Sequence, residues 1–217
     1  MPKHPESDPQ NATVAGQGTG GGDSLTVPEV RAKWNRRYLE KVAAHSMEQT
    51  GPVGPQPNQL ALRHAGLMQG GRMLDAACGL GAGIAVALGR YHTLYGVDLS
   101  DQAIRAARAY WGPRPGLHWV VGDVAAMAWP PGHLQLICAF GFTDWNFLRQ
   151  TPTMLSSGGL MLYQGFSPRE LANRPRLSLE WTSTPEKIQA LYPGWRIVEC
   201  GESAEPPFRV SLAAVKP

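Results

Sequence analysis

The sequence predicts an α/β fold, a doubly wound and mostly parallel sheet that ends in an antiparallel C-terminal hairpin. Short apolar runs alternate with amphipathic segments between residues 58 and 193. Alternation with short connections is typical of parallel strands joined by right-handed helical crossovers. A glycine-rich turn follows the first apolar run and suits a tight strand-to-helix turn. The last two apolar runs, 195–200 and 208–215, flank a short polar loop and predict the hairpin.

Each expected element has a local signal. Apolar runs bounded by glycine, proline or polar residues predict strands at 73–78, 93–97, 117–121, 134–139 and 159–164. Apolar residues at helical spacing and capping residues predict helices from Val30, over 58–68, after the glycine turn, over 100–111, briefly after 121, over 144–155 with an interruption at Pro152, and over 184–191. Strands and helices therefore interleave along the chain.

Length and composition indicate one globular domain with an attached N-terminal region. The chain has 217 residues, of which 43% are hydrophobic, and this is enough for one sizeable core. Residues 1–27 are mostly small and polar, so we expect disorder there. Residues 28–57 are expected to form a helix and a loop rich in proline and glycine, and residues 58–217 the main domain.

Charge and cysteine content argue against several classes of protein. A formal net charge of +3 does not require a nucleic-acid partner. Neither the three cysteines nor the six histidines show metal-ligand spacing, so no metal site is expected. Separated cysteines in odd number predict free thiols, and the sequence has no long apolar run or signal peptide. We therefore expect a cytoplasmic protein that does not bind membranes.

The most informative stretch joins an acid to a glycine-rich turn. The apolar run at 73–78 contains Asp75 and is followed by Gly79, Gly81 and Gly83. Glycines here allow positive φ and the close approach of a ligand, while free N–H groups at the start of the next helix face outward. The pattern is not that of a dinucleotide loop, because Ile84 occupies the third glycine position. A carboxylate on the strand also favours a cationic ligand over a pyrophosphate.

This stretch, Asp75-Ala76-Ala77-Cys78-Gly79-Leu80-Gly81, resembles the first motif of the class I S-adenosylmethionine-dependent methyltransferases. Ala77 stands where that family more often has its first glycine. The resemblance covers residues 60–217. It implies a Rossmann-like fold, methyltransferase activity and S-adenosylmethionine as cofactor. Family members also tend to open the fourth strand with Phe-Asp, whereas this chain has Leu-Gln-Leu at 134–136.

Acids follow or occupy three successive strands of the predicted sheet. Asp98 lies about 20 residues beyond the glycines, where its carboxylate can accept both hydroxyl hydrogens of a ribose or cap the next helix. The resemblance implies that Asp123 and the N–H of Val124 read the adenine edge, and Leu99 or Trp129 can pack on the ring. The expected cofactor-binding residues in the main domain are Asp75, Ala77, Gly79, Gly81, Asp98, Leu99, Asp123, Val124 and Ala139.

The N-terminal helix contains Trp34-Asn35-Arg36-Arg37-Tyr38, which is similar to the Trp-x-x-Arg-Tyr element of tellurite-resistance and thiopurine-type methyltransferases. This similarity implies that Trp34 and Tyr38 cover the cofactor, that Arg37 contacts the substrate, and that the acceptor is small. The helix also has a basic face of Arg31, Lys33, Arg36, Arg37 and Lys41. That face is either a solvated surface or, in an RNA methyltransferase, a surface that binds nucleic acid.

Aromatic residues after the fourth strand, Phe140, Phe142 and Trp145, are expected to line the acceptor site. Methyl transfer is an in-line displacement that requires alignment and exclusion of water, and it needs a general base only when the acceptor must lose a proton. The candidates are Tyr38, His45 and Asp144. A non-catalytic S-adenosylmethionine-binding protein is a further alternative. We expect a monomer or homodimer that acts on a small molecule.

Overall fold

The computed structural model describes residues 26–48 and 52–217, so most of the segment expected to be disordered lies outside the described residues. The helices of the described part are α1 (Val27–Glu48), α2 (Gln59–Arg63), α3 (Ile84–Ala87), α4 (Asp101–Trp111), α5 (Trp145–Met154) and α6 (Pro185–Gln189). The strands are β1 (Arg72–Ala76), β2 (Thr93–Asp98), β3 (Leu117–Val121), β4 (Leu134–Phe140), β5 (Leu155–Phe166), β6 (Arg196–Glu202) and β7 (Arg209–Val215). Short 3₁₀ turns occur at Ala65–Leu67, Pro168–Ala172 and Leu179–Trp181.

The strands form a seven-stranded sheet in the order β3-β2-β1-β4-β5-β7-β6. Strands β1 to β5 pair in parallel, whereas β7 runs antiparallel between β5 and β6. The predicted fold, a mostly parallel sheet with an antiparallel C-terminal hairpin, is confirmed. The chain order reverses between β1 and β4, and ligands of doubly wound sheets bind beside the carboxyl ends of strands at such a point.

Helices cover both faces of the sheet, which explains why the central strands are nearly continuous apolar runs. On one face, Phe147 of α5 and Ile188 of α6 are buried in a cluster with Tyr163 of β5. On the other face, Leu60 of α2 and Ile104 of α4 are buried with residues of β1, β4 and β5. These clusters are called here the α5/α6 face and the α2/α4 face.

Two predicted helices differ from the structure for local reasons. The short helix expected after residue 121 is wrong: Asp123 Oδ1 accepts from the N–H of Ala125, and this bond supports a turn. The interruption at Pro152 is also wrong, because α5 continues to Met154. A proline cannot donate to the carbonyl four residues earlier, and the hydroxyl of Thr151 donates to that carbonyl, Leu148, instead. Helix α3 has only four residues.

Helix α1 begins earlier than expected, at Val27. The N–H and the hydroxyl of Thr26 both donate to Oε2 of Glu29, at 2.7 and 2.8 Å. This is half of a capping box, which satisfies polar groups at the first turn of a helix. Helix α1 then packs against α4. The N-terminal helix is thereby joined to the sheet domain at the end of β2.

Candidate active site

The glycine turn after β1 combines strained backbone with close packing. Ala77, Gly79 and Gly81 have positive φ values of 49°, 54° and 88°. The position of Ala77 explains why a glycine is favoured there, since positive φ costs a residue with a Cβ more. Gly83 differs from the expectation, because its φ is −74°. Its constraint is space: a Cβ at Gly83 would lie 2.9 Å from the carboxylate of Asp75.

The carboxylate of Asp75, on β1, binds the backbone at the end of the glycine turn. Its Oδ2 accepts from the N–H groups of Gly83 and Ile84, at 2.9 and 3.2 Å. The side chain is 2% exposed, and burial raises its pKa to about 7. In the described part of the chain, no cation lies within ion-pair distance of it, and Oδ1 accepts no hydrogen bond. Oδ1 of Asp75 is therefore left without a hydrogen-bond donor among the described residues.

Asp98 holds the other side of the same turn. Its Oδ2 accepts from the N–H of Gly79 at 2.8 Å, and its Oδ1 accepts from the N–H of Ser100 at 2.8 Å. Burial raises the pKa of Asp98, whose side chain also forms no ion pair with any described residue. Each carboxylate oxygen can accept a second hydrogen bond. Asp98 therefore combines the predicted role towards a ribose with the bracing of Gly79.

The third acid, Asp123, lies one strand further out. Register pairs Asp75 with Gly96 and Asp98 with Val121, so the three acids follow the edge of neighbouring parallel strands. Asp123 comes two residues after Val121, and its Oδ1 is used by its own turn. Val124 is buried, while Leu99 is half-buried. Trp129 packs edge-on against Tyr95, with ring centroids 5.6 Å apart.

Two tryptophans that the sequence analysis did not select pack against the glycine turn. A Cβ at Gly81 would collide with Trp119 and approach Trp111, and one at Gly96 would also collide with Trp119. The indole N–H of Trp111 donates to the carbonyl of Leu80 at 2.9 Å. The turn is therefore held on one side by carboxylates and on the other by aromatic rings. Only the small residue at Gly96, inside a strand, signalled this close packing in the sequence.

Helix α1 lies across this edge of the sheet. The hydroxyl of Tyr38 occupies the space where a Cβ of Gly79 would lie. Asn35 donates to Oδ1 of Asp101 at 2.7 Å and accepts from the hydroxyl of Ser100 at 2.7 Å. Asn35 was not predicted, although it lies three residues before Tyr38 and so on the same helix face. The structure thus brings Tyr38 to the predicted cofactor turn.

Other residues of the same part of α1 reach the acceptor side of the sheet. The ammonium of Lys33 lies 5.1 Å from the ring centre of Trp181, which ends the 3₁₀ turn Leu179–Trp181. Trp34 is half-buried, and its ring centre is 6.4 Å from that of Tyr38. The Arg37 guanidinium lies 5.1 Å from the Trp34 ring centre and is otherwise exposed. Helix α1 therefore contacts both sides of the reversal point.

The three general-base candidates have different surroundings. Burial and the charge of Asp98 raise the pKa of Tyr38, so the phenol stays protonated and suits a hydrogen-bond donor. Asp144 is the N-cap of α5 and accepts from the N–H of Phe147 at 2.8 Å. His45 lies seven residues after Tyr38 on α1, about 10 Å along the helix axis. No hydrogen bond within residues 26–48 and 52–217 joins any of the three side chains to the glycine turn.

The predicted acceptor residues are divided between the two faces of the sheet. Phe140 packs against the α2/α4 face, whereas Phe142 and Trp145 pack against the α5/α6 face. Phe142 contacts Phe147 with ring centres 5.7 Å apart, and the indole N–H of Trp145 donates to the carbonyl of Glu180. Ala139 is buried inside β4, level with Ala76 of β1. The structure therefore does not gather the three aromatic residues at one wall.

Two kinds of feature are absent from the described residues. No group of three or more histidine, cysteine, aspartate or glutamate side chains in residues 26–48 and 52–217 has a geometry that could hold a metal ion. Among the same residues, no helix is both long and apolar enough to cross a membrane.

The buried carboxylates provide a test of the expected cofactor. Asp75 and Asp98 accept hydrogen bonds from backbone N–H groups only, and their charges have no cationic partner in the part of the chain that is described. A ligand with an ammonium group, a sulfonium and a ribose diol would supply both the missing charge and the missing donors. S-adenosylmethionine carries all three groups, so the residues fit it.

Three solved structures have the same fold. An S-adenosylmethionine-dependent methyltransferase from Mesorhizobium loti has a TM-score of 0.57 at 15% identity, over 73% of this chain and 99% of that one. Phosphoethanolamine N-methyltransferase 2 from Haemonchus contortus, in complex with phosphomonomethylethanolamine and S-adenosylhomocysteine, has a TM-score of 0.66 at 14% identity, over 89% and 61%. A structure described for conversion of a disulfide bond into a thioacetal group during echinomycin biosynthesis has 0.60 at 21%, over 86% and 92%.

The sheet order and the two carboxylates on the glycine turn define the class I methyltransferase fold. Residues 73–159 match a protein-family profile described as a methyltransferase domain. A comparison with curated protein sequences found no match. Over residues 73–159 the chain therefore carries a methyltransferase domain, in the fold of S-adenosylmethionine-dependent methyltransferases, and the family match indicates S-adenosylmethionine as its cofactor.

Proposed function

We propose that this enzyme transfers the methyl group of S-adenosylmethionine to an oxygen, nitrogen, sulfur or metalloid centre of a small molecule. When bound, S-adenosylmethionine supplies a methyl group activated by a sulfonium. The observation that carries the proposal is the pair of buried carboxylates, Asp75 and Asp98, whose only described partners are N–H groups. Tyr38 stays protonated and Asp144 caps α5, so an acceptor that arrives with a free lone pair and needs no general base fits best.

Each part of the cofactor is assigned to a residue of this chain. Asp98 accepts from the ribose hydroxyls, and Asp75 balances the positive charge of the methionine part. Gly79 and Gly81 allow close approach of the backbone, with Ala77 completing the turn. Asp123 and the N–H of Val124 read the adenine, with Leu99 on the ring. Ala139 lines the methionine part through its backbone.

We further propose that residues 28–57 act as a lid and that α1 closes over the bound cofactor and acceptor. Support comes from contacts of α1 with both sides of the reversal point, through Tyr38 at Gly79 and Lys33 at Trp181. A helix in this position excludes water from the transfer site. It also favours a small acceptor over a polymer. The Haemonchus relative, solved with phosphomonomethylethanolamine, supports a small acceptor as well.

An RNA methyltransferase is the second candidate, because Arg31, Arg36 and Arg37 on α1 are exposed. Titration of a mixed-sequence RNA at rising salt separates the two. Binding that weakens steeply with salt would favour RNA, and no binding at low salt would exclude it. We also propose a cytoplasmic location, which the free thiols of Cys78, Cys138 and Cys200 support.

The proposal is tested by calorimetry with S-adenosylmethionine and S-adenosylhomocysteine, followed by turnover with labelled methyl donor against a panel of small amines, thiols, phenols and metalloid oxyanions. Binding of both nucleosides and transfer to at least one panel member are expected. If neither nucleoside binds, the assigned site is wrong. If both bind and only RNA becomes labelled, the small-molecule acceptor is wrong.

A further inference from the structure

Strands β5 and β7 bring a cluster of arginines to the same edge of the sheet as the glycine turn. Phe166, the last residue of β5, pairs directly with Arg209, the first residue of β7. Directly opposed residues of antiparallel strands project from the same face. Gln164, two residues before Phe166, pairs with Phe140 of β4. Because side chains alternate, Phe140, Gln164, Phe166 and Arg209 share one face at the carboxyl ends of the strands.

Two guanidinium groups lie on the ring of Phe166. The guanidinium carbons of Arg174 and Arg209 are each 4.7 Å from the ring centre. Burial and, after it, the charge of Arg174 lower the pKa of Arg209, which agrees with the closeness of the two cations on one ring. We name these residues the Phe166 arginine pair. Like charges repel, and Glu170 offsets only part of this repulsion, because two guanidinium groups beside one carboxylate keep a net positive charge.

The nearest carboxylate is already engaged. Glu170 is buried; its Oε1 accepts from Nε of Arg174 at 2.8 Å, and its Oε2 accepts from the N–H of Phe208 and from the amide of Asn173. The guanidinium of Arg209 and the terminal nitrogens of Arg174 have no hydrogen-bond acceptor among residues 26–48 and 52–217. Half-buried Arg209 therefore has unused donors at this edge.

We propose that the Phe166 arginine pair binds the oxyanion of an acidic methyl acceptor, a carboxylate or a phosphate. Guanidinium forks match such groups with two parallel hydrogen bonds. Glu170 acts as a positioning residue, since it holds Arg174 through Nε and leaves the terminal nitrogens for the ligand. The inference rests on the proposed function, because it assigns the acceptor to the same edge of the sheet.

The position of the Phe166 arginine pair also sets the distance between the oxyanion of the acceptor and the atom that receives the methyl group. Two strand spacings separate β4 from β7, which is about 10 Å. The methyl-receiving atom must lie near β1 and β4, where the glycine turn is. An acceptor held by Arg209 therefore carries its oxyanion several bonds away from the atom that receives the methyl group. Amino acids, nucleotides and phosphorylated amines differ in this spacing.

The experiment uses the full chain and the variants Arg209→Gln, Arg174→Gln and Arg209→Lys. Arg149→Gln, an exposed arginine on α5, is the matched control. Inorganic phosphate and acetate are titrated separately at constant ionic strength, and binding is followed by NMR. Affinity for at least one anion should fall about 10- to 100-fold in both glutamine variants, less in Arg209→Lys, and not in the control. The anion that shows the effect identifies the group.

Two further measurements separate binding from folding and from the proposed function. Acceptors from the turnover panel are offered as matched pairs, free acid against amide and phosphate ester against alcohol. The variants should raise KM for the charged member with little change in kcat, and should keep the affinity for S-adenosylhomocysteine. If the wild-type protein binds S-adenosylhomocysteine but neither anion, or if all arginine variants bind anions equally, the anion site is refuted. Failure to bind S-adenosylhomocysteine refutes the proposed function instead.

Discussion

Replacement of Asp98 by asparagine tests the role of the carboxylate pair most directly. Both oxygens of Asp98 accept from backbone N–H groups, of Gly79 and Ser100, at 2.8 Å each. An asparagine has only one oxygen, so in either orientation its NH₂ group faces one of these N–H donors. The glycine turn and the ribose hydroxyls therefore lose an acceptor at the same time.

The size of the effect follows from these bonds. A hydrogen bond to a charged group contributes about 1.5–3 kcal/mol, which corresponds to about 10- to 150-fold in affinity for S-adenosylhomocysteine. Global stability should change less. The unpaired donor costs about 1–3 kcal/mol, but removal of a buried charge with a raised pKa offsets part of that cost.

Isothermal calorimetry with S-adenosylhomocysteine and urea unfolding measure the two quantities. Asp144→Asn is the matched control, because Asp144 also accepts from one backbone N–H but caps α5. The control should keep both its stability and its affinity, because asparagine caps a helix about as well as aspartate. If Asp98→Asn binds S-adenosylhomocysteine as tightly as wild type while remaining folded, the assignment of Asp98 to the ribose is wrong.

Three further substitutions test the neighbouring contacts. Burial raises the pKa of Asp75 to about 7, so the free energy of unfolding of the wild-type protein should fall as pH rises from about 4 towards 7. Urea unfolding of Asp75→Asn should show no such fall. If the free energies of both proteins change with pH in the same way, the raised pKa is contradicted. Gly83→Ala should cost about 1–3 kcal/mol by displacing the Asp75 carboxylate, whereas Gly66→Ala, with open space around it, should not destabilise; equal melting temperatures would refute this. Asn35→Ala removes the hydrogen bonds that hold α1 to Ser100 and Asp101, so release of S-adenosylhomocysteine should become about 3- to 10-fold faster in stopped-flow experiments. An unchanged rate would show that α1 is not part of the lid.

The glycine turn and its acids could be predicted because their signals are local. Positive φ at Gly79 and Gly81 and an acid at the end of β2 are properties of a few consecutive residues. The same holds for the alternating strands and helices. The predicted interruption at Pro152 was wrong because the Thr151 hydroxyl donates to the carbonyl that the proline leaves without its N–H donor. Helix propensity does not include such a side-chain hydrogen bond.

The acceptor side depended on contacts between distant segments. Phe140 and Phe142 are two residues apart, yet they pack against different faces. Nothing in the sequence indicated that Asn35 would bind Ser100 and Asp101, or that Arg174 and Arg209 would share the ring of Phe166.

By itself, therefore, the sequence determined the fold class, the cofactor turn and the carboxylates beside it, because backbone freedom and strand-end chemistry are written in adjacent residues. Only the tertiary structure decided where α1 lies, which aromatic residues separate, and which arginines meet. Those outcomes follow from the strand order, which places β7 beside β5 and brings chain segments together across long sequence distances.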